Sequence, residues 1–231
     1  MVVDPGHRPV IVLIPVYEPD EKLLALLPKL KERFDRIVLV DDGSTKGREV
    51  FERARPLVET ILVHDVNRGK GCALKTGFAY AGASADVVTV DSDGQHDPDD
   101  VVKVAEALAD CRDGLVLGVR SFTGDVPFRS RFGNFWTRLF FNLLTGLHVT
   151  DTQTGLRGIP AGLLPRVAAL PGDRFEYEMV MLADARHHAR EPLEVPIHTI
   201  YLEGNRTSHH RPFVDTWRIY RALFAALRRR T

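Results

Sequence analysis

Short apolar runs rich in Val and Ile alternate with longer stretches in which apolar residues recur every three or four positions through the first half of the chain. A repeat of about two residues marks a strand and one of about 3.6 marks a helix. The runs predict strands over Val10 to Val16, Arg36 to Val40, Thr60 to His64, Asp86 to Val90 and Leu115 to Gly118. Between them the spacing predicts helices over Asp20 to Phe34, Lys46 to Arg55, Gly71 to Gly82 and Pro98 to Asp110, the last opened by Asp97 and Pro98 as an N-cap and N1 pair. Strands alternating with helices build βαβ units, so the expected class is α/β with a mostly parallel sheet flanked by helices. After Gly118 the rhythm changes to a loop from Ser121 to Pro127, an aromatic-rich helical stretch from Phe132 to Leu147, and the Gly-rich segment Asp151-Thr-Gln-Thr-Gly-Leu-Arg-Gly158.

Polar residues interrupt this pattern where such a sheet collects ligands. Pro15-Val-Tyr-Glu18, Asp41-Asp-Gly-Ser44 and Asp91-Ser-Asp-Gly-Gln95 each close a predicted strand, and open α/β sheets bind ligands at the carboxyl ends of their strands. Asp91 and Asp93 leave the strand two residues apart, so alternation sets both on one side of the chain, and Gly94 lets it turn at once. Paired hard oxygens suit Mg²⁺ or Mn²⁺, which bind one or two carboxylates together with substrate phosphates. An isolated Asp-x-Asp has the form of a solvated acidic turn. Three acidic strand ends at one edge repel unless a cation or a donor-rich ligand is present. Asn67-Arg-Gly-Lys-Gly71 precedes the third helix; its glycines allow close backbone approach, Lys70 brings a point charge, and a helix N-terminus favours an anion. The spacing is not that of a Walker A loop, and no Gly-x-Gly-x-x-Gly follows the first strand, which argues against a dinucleotide-binding Rossmann domain.

Composition narrows the class further. With 231 residues, 44% hydrophobic and 27% charged, the chain can bury a sizeable core and is neither disordered nor collagen-like. Cys72 and Cys111 cannot make a disulfide framework and no Cys/His spacing marks a zinc site, so a reduced cytosolic compartment is expected. The start lacks the basic and apolar regions of a signal peptide, and no apolar run reaches the roughly 18 residues of a membrane span. The net charge of zero is unevenly spread, because seven arginines against Asp215 leave residues 205–231 at +6. A segregated basic end suits an anionic partner such as a phosphate, a nucleic acid or a lipid surface.

In their order along the chain, the motifs at Pro15 to Glu18, Asp41 to Ser44, Asn67 to Gly71 and Asp91 to Gln95 resemble a family 2 glycosyltransferase of the GT-A fold. Within it, the chain looks most like the branch of dolichyl-phosphate mannose synthases and bacterial polyprenyl-phosphate glycosyltransferases. The likeness continues through Asp151 to Arg157 and Thr199 to Ser208, so it spans nearly the whole chain. It implies a catalytic domain over residues 1–212, with a donor half to about 120 and an acceptor half beyond it, then a basic amphipathic helix over 213–231. It also implies that Pro15, Tyr17, Glu18, Asp41, Asp42, Lys70, Asp91, Ser92, Asp93 and Arg206 bind a nucleoside diphosphate sugar, Glu18 and Asp42 receiving the base and ribose. Asp91, Asp93 and Gln95 match the metal position, and Arg120, Arg129, Ser130, Arg131 and Arg157 the acceptor phosphate, with Arg129 and Arg131 alternatives for one role.

The expected reaction is inverting transfer of a hexose, from GDP-mannose or UDP-glucose, to a polyprenyl phosphate. Two anionic substrates need a divalent cation and several guanidinium groups to meet, with Asp93, Asp151 and Arg120 as the expected catalytic set. A phosphate acceptor is already ionised near neutral pH, which leaves Asp151 either a base or a structural residue. Glu178 is the better site candidate of the pair Glu176 and Glu178 on a predicted helix, while a solvated side chain is the alternative for both. Phe132, Phe135, Trp136, Leu139, Phe140, Leu143, Leu144 and Leu147 form one apolar stripe, to which Phe141 adds a second face, and Phe213, Trp217, Tyr220, Phe224 and Leu227 form another among arginines. Such helices either pack on the domain or lie in a membrane interface, so a peripheral site at the inner face of the cell membrane, on the chain's own or through a separate membrane partner, is expected. The rivals are a hydroxyl acceptor on the same fold and a non-catalytic sugar-nucleotide binder; a nucleic-acid partner is not expected, because stacking motifs are absent.

Overall fold

A computed structural model describes residues 8–120, 138, 139, 141–187 and 190–198. Its strands are β1 (Val10–Val16), β2 (Arg36–Asp41), β3 (Thr60–Val63), β4 (Asp86–Thr89), β5 (Val116–Arg120), β6 (Arg157–Ile159) and β7 (Leu193–Ile197). They form one sheet in the order β3-β2-β1-β4-β6-β5-β7. All neighbours are parallel except β6, which runs antiparallel between β4 and β5. The five strands expected from the apolar runs are present within a residue or two of their ends, and β6 and β7 are additions. Helices α1 (Glu21–Lys31), α2 (Arg48–Ala54), α3 (Lys70–Ala81) and α4 (Pro98–Asp110) fall where the spacing put them.

Alternation along the strands divides the core between two helical layers. Ile11, Leu13, Val38 and Val40 face α3 through Leu74 and Phe78, together with Tyr177 and Met181 of a later helix, Glu176–Asp184. Val12, Ile14 and Leu39 face the other layer, Leu23, Leu27 and Leu30 of α1 and Val101, Val104 and Leu108 of α4. A sheet covered on both faces needs apolar residues on both, which is why its strands read as continuous Val and Ile runs. The helix that includes residues 141–145 buries Phe141 and leaves Leu139 and Leu143 exposed, while Leu144 and Leu147 of the main stripe also pack against the core. Among the described residues no helix is long and apolar enough to cross a membrane.

The order of the strands fixes where a ligand can sit. The chain moves outward from β1 to β2 and β3, then returns to the other side of β1 as β4. This reversal leaves a crevice at the carboxyl ends of β1 and β4. The register brings Val16 beside Asp41 and Leu13 beside Thr89, so the polar segments after β1, β2 and β4 share that edge. β5 runs in the same direction as β4, and Arg120 at its end lies on the same side.

At the opposite edge of the sheet, Arg36 binds Glu59 through two bonds of 2.7 and 2.8 Å, and the Tyr80 hydroxyl donates to the same carboxylate. The Arg36 hydrogen bond holds the Glu59 carboxyl well down, to about 2. A depressed carboxyl stabilises the fold above its unfolded pKa and loses that contribution as pH falls through the folded value. The stability difference between the wild type and Arg36→Met is therefore expected to be about 1 kcal/mol at pH 6 and to shrink between pH 4.5 and pH 2, measured by urea unfolding.

Candidate active site

Asp91 follows β4 by two residues and lies against the loop that leads into β6. Pairing of Thr89 with Arg157, and a bond from the Thr89 hydroxyl to the Gly155 carbonyl at 2.8 Å, draw that loop over the strand end. A Cβ on Gly155 would stand 2.3 Å from Asp91 Oδ2, so only glycine lets the carboxylate occupy this place. Asp91 Oδ1 accepts an ion pair from Lys70 Nζ at 2.7 Å, and His96 Nε2 lies 3.8 Å from Oδ2. Burial pushes the Asp91 carboxyl up, but Lys70 and His96 outweigh it and hold the group well below the usual carboxylate range.

Lys70 is the first residue of α3, and the same Nζ reaches Glu178 Oε2 at 2.8 Å. Burial opposes its charge, and the two carboxylates more than offset this, so the ammonium is held above the usual lysine range. Glu178 therefore joins the site and is not a solvated side chain, while Glu176 turns back to accept the Asp173 and Arg174 amides, ahead of its helix, at 3.1 and 3.2 Å. Glu178 Oε1 is buried without a hydrogen-bond partner among the described residues.

Asp93 receives the Gln95 amide at 3.1 Å. Burial raises its carboxyl, and the neighbouring Asp91 charge raises it further. Two carboxylates, one ionised and one strained by the first, are a donor set that a hard divalent cation would relieve. No group of three or more His, Cys, Asp or Glu able to hold a metal occurs among the described residues. A cation on Asp91 and Asp93 would complete its shell from the Gln95 side-chain oxygen and from ligand oxygens, as Mg²⁺ and Mn²⁺ sites built with phosphates do.

Around β1 and β2, the Glu18 amide donates to Ser44 Oγ at 2.8 Å, and Thr45 Oγ1 donates to the Glu18 carboxylate at 2.9 Å. Pro15 and Tyr17 are half-buried beside them, and Ser92 lies half-buried between Asp91 and Asp93. Asp41 Oδ1 accepts the Ser44 amide at 2.9 Å, which folds the turn after β2. Asp42, matched by resemblance to the base and ribose, is engaged within the protein. It is 3% exposed, and its oxygens accept His64 Nδ1 at 2.8 Å and the Arg68 and Gly69 amides at 2.9 and 2.7 Å. Asp42 thus closes the loop that leads into α3. Behind it the Cys72 amide donates to the Asp173 carbonyl at 3.0 Å.

At the end of β5, Arg120 grips Asp151 through two bonds of 2.6 and 3.0 Å, and Asp151 also accepts the Gln153 amide at 3.0 Å. Asp151 is fully buried. Of its two readings, the structural one fits, because a carboxylate held by a guanidinium fork has no clear path to a substrate proton. Arg157 is also buried and gives its guanidinium to the Thr154 and Glu178 carbonyls at 2.9 and 2.5 Å. It ties the β6 loop to the helix carrying Glu178, which corrects its expected place on the acceptor phosphate. Arg129, Ser130, Arg131, Arg206 and residues 213–231 lie outside the described residues.

Known proteins fit this geometry. Residues 11–164 match the model for Glycosyl transferase family 2. The chain belongs to that family and is a glycosyltransferase. It is 30% identical, over 84% of its length and 86% of the relative, to a UDP-N-acetylglucosamine–dolichyl-phosphate N-acetylglucosaminyltransferase of Methanococcus voltae. It is 27% identical, over 81% of its length and 82% of the relative, to an undecaprenyl-phosphate mannosyltransferase of Micrococcus luteus. Its fold matches glucosyl-3-phosphoglycerate synthase of Mycobacterium tuberculosis, solved with Mn²⁺, UDP and phosphoglyceric acid, with a TM-score of 0.70 and 20% identity over 95% of this chain and 77% of that one.

Gly155→Ala tests the packing at the strand end. The added methyl displaces Asp91 from Lys70, and turnover is expected to fall by about 100-fold or more while the melting temperature drops by only a few degrees. Gly162→Ala, where nothing lies within 4 Å, is expected to change neither.

Proposed function

We propose that this glycosyltransferase moves a sugar from a nucleoside diphosphate to a polyprenyl phosphate, using Mg²⁺ or Mn²⁺ on Asp91 and Asp93. The observation that carries the reading is the cluster of Asp91, Asp93, Lys70 and Glu178 at the switch point of the sheet, with Arg120 at the same edge. Relatives that act on dolichyl and undecaprenyl phosphates support the acceptor class.

Charge explains the division of labour. A bound cation would act as a Lewis acid on the departing diphosphate. Lys70, at the start of α3, adds a fixed positive charge beside it. Glu18, Asp41, Pro15 and Tyr17 line the donor side, while Arg120 faces the acceptor phosphate, with Arg129 or Arg131, Ser130 and Arg206 completing the anion contacts. One oxygen of the acceptor phosphate attacks the anomeric carbon as its bond to the diphosphate breaks, which inverts that centre. The nucleophile is already ionised, so no base is required and Asp151 is free to hold Arg120 in place. Exposed Leu139 and Leu143 next to Arg138 suit contact with a membrane surface that carries the lipid, as do the aromatic and arginine residues of 213–231.

The test is turnover of a sugar-nucleotide panel with Mn²⁺ or Mg²⁺, with and without a short polyprenyl phosphate. Nucleoside diphosphate release stimulated by the lipid phosphate is expected, and stimulation by a soluble glycan instead would move the acceptor to the hydroxyl class. Asp93→Ala is expected to lower turnover by about 100-fold or more. Arg120→Lys keeps the charge but loses the fork, and should raise the KM for the acceptor several-fold more than that for the donor.

A further inference from the structure

His64 stands just past β3, buried, at a place where neither periodicity nor motif marks a functional residue. Both ring nitrogens are engaged. Nδ1 lies 2.8 Å from Asp42 Oδ1, and Nε2 lies 2.9 Å from the Thr76 hydroxyl on α3. An ionised carboxylate only accepts hydrogen bonds, so Nδ1 carries a proton, while the hydroxyl can serve either state of Nε2.

Asp42 in turn accepts the Arg68 and Gly69 amides. Gly69 has φ +102°, and a Cβ there would stand 2.4 Å from the Asp173 carbonyl oxygen, so the loop is closed on both sides. The next residue is Lys70, whose ammonium meets Asp91 and Glu178. An unbroken chain of polar contacts therefore runs from Thr76 through His64 and Asp42 to the backbone of the loop that delivers Lys70. Without His64, the buried Asp42 loses a donor and its grip on the Arg68 and Gly69 amides is no longer fixed in direction.

We infer that His64 is a positioning residue for the donor site, acting through Asp42 to hold Lys70 where the diphosphate and its cation are bound. This rests on the donor site proposed above. It assigns Asp42 a role through the loop.

The experiment is calorimetric binding of UDP and GDP in the presence of Mn²⁺ to the full chain, in a double-mutant cycle of His64→Leu with Lys70→Met. His64→Leu is expected to weaken binding of the preferred nucleotide by about tenfold or more, yet by less than about threefold in the Lys70→Met background. His64→Asn, whose amide can donate from the Nδ1 position, is expected to restore affinity to within about threefold of the wild type. Equal losses in both backgrounds, or equal losses for His64→Leu and His64→Asn, would overturn the inference. Should His64→Leu fail to fold, Thr76→Val replaces it in the cycle, with an expected weakening of about threefold that Lys70→Met abolishes; additivity there overturns the inference too. A wild type that binds neither nucleotide with Mn²⁺ overturns the donor-site reading and this inference with it.

Discussion

Asp91 must stay ionised at the mouth of a buried strand, and the rest of the site is arranged around that requirement. Burial alone would drive its carboxyl to protonate, and the balance is reversed by Lys70 and His96. Lys70 is in turn held by Glu178 from a helix far along the chain. The ammonium and the two carboxylates are close enough that moving any of them leaves a charge without its partner in a poorly solvated place. Asp93 is destabilised by its burial and by the neighbouring Asp91 charge, which a bound cation would relieve.

The scaffold supplies that geometry by three separate devices. Parallel pairing of β1, β2 and β4 places the acidic segments at one edge. The antiparallel insertion of β6 brings Gly155 against Asp91 and sends Arg157 under the helix that bears Glu178. Closure of the Asn67 to Gly69 loop onto Asp42 fixes the start of α3, and with it Lys70. Arg120 and Asp151 form a second unit, in which a buried carboxylate orients a guanidinium at the end of β5. One sheet joins the two halves of the chain, because β6, from the second half, lies between two strands of the first.

How far the sequence reveals this depends on the physics of each element. The first five strands are legible because they consist largely of apolar residues, and β1, β2, β4 and β5 are buried on both faces. β6 is three residues long with Arg and Gly in it, and β7 contains Glu194 and Pro196, a composition tolerated because β7 is at the edge of the sheet. Asp91, Asp93 and Arg120 draw attention in the sequence because charged residues at the end of a strand have few structural uses, and Lys70 because it opens α3 after a glycine. Asp42 carries the same signal but a different task, since two amides and a histidine meet it only once the chain has folded. His64 gives no signal at all, being a single polar residue at the end of an apolar run. Glu178 is suggested by resemblance, and its pairing with Lys70 becomes visible only in three dimensions. For Arg157, charge pointed outward to a phosphate, whereas backbone carbonyls satisfy it inside.

The central claim is that Asp91 and Asp93 form a cation site completed by a nucleoside diphosphate. Electron paramagnetic resonance of Mn²⁺ added to the wild type, to Asp91→Asn and to Asp93→Asn, each with and without UDP or GDP, tests it most directly. The account predicts Mn²⁺ capture by the wild type that is tightened by one of the nucleotides and lost in both variants. Capture that ignores the nucleotide, or that survives in both variants, would contradict it.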